Sequence, residues 1–65
     1  IDLKSDRQAG VLRVQSAWTE SGHGGPIAER LAPLLAQTAA WQGLGEVRVA
    51  AGARGDLAPV LAAEL

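Results

Sequence analysis

A chain of 65 residues with no cysteine and a single histidine, His23, has to be held together by side-chain packing, because neither a disulfide nor a structural zinc site is within its means. At that length one hydrophobic core only just outweighs the chain entropy lost on folding. The apolar positions must therefore be used economically, or the core must be shared with a neighbour.

Those positions follow two periods. Ile1, Leu3 and Ser5 alternate with Asp2, Lys4 and Asp6, the two-residue period of a half-buried strand. After a polar stretch ending in Gly10, alternation resumes with Leu12, Val14, Ser16 and Trp18 on one parity and Val11, Arg13, Gln15 and Ala17 on the other. Gly10 suits the positive φ that closes an antiparallel hairpin. The small residues of TESGHGGP then predict a loop, and Pro26 a helix start. From there Ile27, Leu31, Leu34, Leu35, Thr38 and Trp41 recur at helical spacing to about Gln42, with Pro33 expected to kink the helix. Gly43 followed by Leu44 has the form of a left-handed C-terminal cap.

EVRVAAG alternates again and predicts a third strand, while GDLAPVLAAEL predicts a terminal helix with Asp56 as its N-cap. The expected fold is α+β: a small antiparallel three-stranded sheet with one long helix packed on it and a short C-terminal helix, in the order β-β-α-β-α. Residues 1–65 read as a single small domain, and alternation already under way at Ile1 suggests a piece of a longer protein.

Six Lys and Arg stand against seven Asp and Glu, a net charge of −1, which removes the usual electrostatic signature of an autonomous nucleic-acid binder. No apolar run has the length of a membrane span, so no membrane partner is expected, and the absence of cysteine fits a cytoplasmic location. If the long helix covers the sheet face carrying Ile1, Leu3, Leu12, Val14, Trp18, Val47 and Val49, the other face presents Lys4, Arg13, Gln15 and Arg48. Lys4, Arg13 and Arg48 are thus the candidates for contact with a phosphate backbone, diluted by Asp2 and Asp6 on the same parity.

Motifs with chemistry are few. GHGGP precedes a helix start but has neither the lysine nor the hydroxyl of a phosphate-binding loop. His23 has no carboxylate or nucleophile at a telling spacing, which leaves an exposed loop histidine. Arg54, Gly55 and Asp56 spell an adhesion tripeptide, yet Asp56 has a capping role to fill. Trp18 and Trp41 fall on apolar parities and are expected in the core. No catalytic residue, metal ligand or cofactor is indicated.

IDLKSDRQAGVLRVQSAWTE, followed by IAERLAPLLAQTAAWQGLGEVRVA and GDLAPVL, resembles the C-terminal end of the YcaQ-like winged-helix proteins, bacterial DNA-binding proteins that include glycosylases acting on alkylated bases and interstrand crosslinks. The resemblance rests on Asp2, Leu3, Lys4, Asp6, Arg7, Gly10 to Val14, Glu20, Leu31 to Leu35, Trp41 and Leu44, and spans nearly the whole chain. It implies an accessory, DNA-repair-related segment packed behind upstream winged-helix domains of one parent protein, with duplex DNA as the wider partner. The family's catalytic Gln-apolar-Gln or Gln-apolar-Asp motif lies upstream of the matching region; Gln15 is followed by Ser16 and Ala17, so no catalytic role carries over. Trp18 stands where relatives tend to have histidine. A different class of reading, an independent protein-interaction module using a strand edge or helix face, remains open beside it.

Overall fold

In the computed structural model, which describes residues 1–20 and 24–65, five elements follow one another: β1 (Asp2–Asp6), β2 (Val11–Ser16), α1 (Gly24–Trp41), β3 (Glu46–Arg54) and α2 (Leu57–Glu64). The expected α+β order is observed. Gly10 has φ +70° and closes the β1–β2 hairpin, which pairs Leu3 with Val14, Lys4 with Arg13 and Ser5 with Leu12. The helix begins at Gly24, two residues before the proline expected to open it, and continues through Pro33. The middle of the expected loop, including His23, lies outside the described residues.

One feature of the expected sheet is corrected. The strand order is β1-β2-β3, but β3 runs parallel to β2, pairing Leu12 with Val47, Arg13 with Arg48 and Val14 with Val49. Parallel neighbours need a long crossover, usually a helix. The 18 residues of α1 supply it, since about 27 Å of helix returns the chain past the roughly 20 Å of a six-residue strand.

α1 ends in a complete Schellman cap. Gly43 has φ +74°, its N–H donates to the Ala40 carbonyl at 3.0 Å, and the Leu44 N–H donates to the Ala39 carbonyl at 2.8 Å. Leu44 folds back to pack with Leu12 and Ala39 in a small core cluster. The larger cluster joins Val14 and Ala17 to Ala28 and Leu35 of α1 and to Leu57 and Leu61 of α2. Across the two clusters, Leu12, Val14 and Leu61 are the most completely buried large side chains, each contributing roughly 1.5–3 kcal/mol through burial.

The helical stripe is rotated from the expected one. Ala28, Leu35 and Ala39 are buried, with Leu31 and Ala32 packed against them, whereas Ile27, Leu34 and Trp41 face outward. The inward positions of α1 are thus largely alanine, whose short side chain permits close approach to the sheet and to α2. Both helices pack on β2 and β3 and on each other; neither packs on β1, so Ile1 and Leu3, expected beneath the helix, are exposed.

Trp18 is also exposed, and the cause is a register slip. Asp2 pairs with Ser16 while Leu3 pairs with Val14, so Gln15 is an extra residue that inverts the alternation beyond it. Ala17 enters the core in place of the parity expected from Val14, and Trp18 turns out beside Gly55.

Candidate functional site

The sheet face away from the helices is built by the pleat. Lys4, Arg13 and Arg48 are register partners in one row across all three strands, and Asp6, Val11 and Glu46 form the next row. Residues directly opposite one another in neighbouring strands share a face, so the three cations expected on this face do come together.

Two of them are already paired. Arg13 reaches Asp6 at 3.3 Å, and the Arg48 guanidinium contacts the Glu46 carboxylate. The Asp6 carboxyl is held below its ordinary value chiefly by the Ala9 N–H, which donates to it at 3.1 Å, and then by Arg13. Lys4 makes no ion pair among the described residues. The face therefore alternates in sign rather than forming a continuous basic patch.

A second surface lies on α1. Ile27, Leu34 and Trp41 are spaced by seven residues and so fall on one line along the helix. Leu34 is 57% and Trp41 79% exposed, which places a large aromatic side chain in solvent at the end of the line. Beside it, the Ser5 hydroxyl contacts the Gln42 side chain and the Arg7 guanidinium donates to the Gln42 carbonyl at 3.2 Å, tying the hairpin to the end of α1.

The tripeptide 54–56 belongs to the architecture. The Ala17 N–H donates to the Arg54 carbonyl at 2.9 Å, and the Leu57 N–H donates to the Ala17 carbonyl at 3.0 Å. Asp56 occupies the N-cap position of α2 but makes no side-chain cap bond. Its carboxylate instead accepts the Thr19 N–H at 2.9 Å and the Thr19 hydroxyl at 2.5 Å, and these bonds draw its pKa below the ordinary value. Sequence spacing could not reveal this clamp, because its partners are 37 positions apart.

No group of three or more His, Cys, Asp or Glu side chains is positioned to hold a metal ion among the described residues. No helix there is long and apolar enough to cross a membrane. His23 lies outside the described residues. Comparison with protein-family models, with curated proteins and with solved structures found no match.

Proposed function

We propose that the chain is an accessory docking module of a winged-helix DNA-binding, DNA-glycosylase-like protein, seated through α1 on the upstream domains of its parent and contributing no catalytic residue. The observation that carries this reading is the exposed line of Ile27, Leu34 and Trp41 on a helix that commits Ala28, Leu35 and Ala39 to the core. Such a line resembles the aromatic and aliphatic anchors that dominate binding at protein interfaces. The resemblance in sequence supplies the identity of the partner, and the cytoplasmic setting follows from it.

The test uses Trp41 as its own probe in a Trp18→Phe chain. Adding the winged-helix domains in trans should shift Trp41 emission to shorter wavelength, and Leu34→Lys should weaken that binding by about tenfold or more. An unshifted emission, or equal binding by Leu34→Lys, would overturn the assignment. Capture of an unrelated protein through the same helix would favour the independent interaction module.

A second reading has its own observation. The cross-strand row of Lys4, Arg13 and Arg48 offers three cations to a phosphate backbone. It predicts binding of duplex DNA that weakens with salt, with a log–log slope of about −2.7 if all three charges engage phosphates.

A further inference from the structure

β2 is the central strand, so β1 and β3 each leave one row of backbone donors and acceptors unpaired among the described residues. The two edges differ in shape. β1 has no helix over it and exposes Ile1 and Leu3. β3 lies beneath the helix layer, and two open grooves follow it: one of about 330 Å³ bordered by Ala36, Ala40, Leu44 and Val47, the other of about 440 Å³ bordered by Val49, Ala62 and Leu65. One edge is a bare step carrying apolar side chains, and the other is an overhang with space beneath it.

Because β1 is antiparallel and β3 parallel to β2, β1 and β3 run in opposite directions. A second copy displaced sideways, without being turned over, therefore brings its β1 antiparallel to β3 with both helix layers on the same side. We propose that the free edge of β3 receives β1 of a second copy of this chain, by strand addition.

Charge selects the register. Setting Lys4 of the second copy opposite Glu46 also sets its Asp2 opposite Arg48, two opposite-charge pairs on the outer face. On the helix side the same register sets Leu3 opposite Val47 and Ile1 opposite Val49, delivering the exposed apolar side chains to the grooves. A shift of two residues in one direction opposes Lys4 to Arg48 and Asp6 to Glu46; a shift in the other opposes Asp2 to Glu46. Both juxtapose like charges, which is destabilising across a strand pair. A shift of one residue inverts the faces and turns Leu3 to the charged side.

The contact joins two different edges, so it does not close on itself as a two-fold dimer does; copies add one after another. It uses the sheet edges and not the α1 line, and so stands independently of the docking assignment above.

Sedimentation of the 65-residue chain, with circular dichroism confirming that each variant is folded, tests it. The expected mass rises with concentration without levelling at that of a dimer. Lys4→Glu and Glu46→Lys should each abolish the rise, and an equimolar mixture of the two variants should restore it, because Glu at position 4 then meets Lys at position 46. A wild-type chain that stays monomeric, a mass that levels at twice that of the monomer, or variants that associate like the wild type would each overturn the proposal. So would two non-associating variants that fail to associate when mixed.

Discussion

The Ala17 carbonyl oxygen occupies the place where a side chain on Gly55 would begin: a Cβ built on Gly55 would lie 2.0 Å from that oxygen. Gly55 also has φ +102°, so conformation and space both require glycine where β3 passes into α2. Gly55→Ala is expected to cost on the order of 3 kcal/mol or more, since the obstructing atom is backbone that itself accepts the Leu57 N–H. Gly10, at φ +70° with open space around it, provides the comparison. Gly10→Ala should cost only about 1–2 kcal/mol, the penalty of the left-handed conformation alone. Urea unfolding of the two variants measures the difference; equal losses would show that the Ala17 contact is unimportant.

The clamp of Asp56 on Thr19 makes stability pH-dependent. The folded-state pKa of Asp56 lies below the ordinary 3.8, first because of the Thr19 hydroxyl and next because of the Thr19 N–H, and that of Asp6 is lowered as well. A depressed carboxylate pKa contributes stability above the unfolded value, and that contribution is lost as pH falls below 3.8 through the folded value. Melting temperature should therefore fall on acidification through this range, and Asp56→Asn should flatten the fall. Thr19→Val should move the Asp56 titration, followed by NMR, back toward 3.8. An unmoved titration would assign the shift to other groups.

Leu34 and Leu35 are neighbours in sequence with opposite roles in the isolated chain. Leu35 is 4% exposed in the main core, whereas Leu34 projects from α1. Leu35→Ala should destabilise by about 2–4 kcal/mol, and Leu34→Ala by less than about 0.5 kcal/mol. Thermal melts distinguish them readily, because 1 kcal/mol moves the midpoint of a domain this small by roughly 4–8 °C. Comparable losses would mean that the outward line of α1 is covered within the chain itself.

How far these roles could be read from residues alone differs with the range of the interaction. The hairpin glycine and the Gly43–Leu44 cap were legible because turn conformation is set within a few residues of each glycine. The buried line of α1 was not, because large apolar side chains dominate a hydropathy pattern while close packing here favours Ala28, Ala32 and Ala39. A two-residue period places Trp18 inside, and the one extra residue that turns it out, Gln15, leaves no mark on that period. The parallel pairing of β3 was within reach, since a helix between two strands is the usual parallel crossover. Of the candidate backbone-contact residues, Lys4, Arg13 and Arg48 were correctly expected to share a face, but their pairing with Asp6 and Glu46 depends on the register.

That pairing determines the expected strength of any contact with DNA. Arg13 and Arg48 must exchange an internal carboxylate for a phosphate, so each gains less on binding than Lys4, which starts without an ion pair among the described residues. If the outer face meets duplex DNA, Lys4→Gln should reduce affinity at low salt and bring the log–log salt slope closer to zero by about 0.9. Asp6→Asn should have the opposite effect on affinity, because it releases Arg13 and removes a charge that repels phosphate. A salt titration of duplex binding by the wild-type chain and both variants reads these effects together. Binding that is insensitive to salt, or reduced by Asp6→Asn in a folded chain, would remove the outer face from consideration as a phosphate contact.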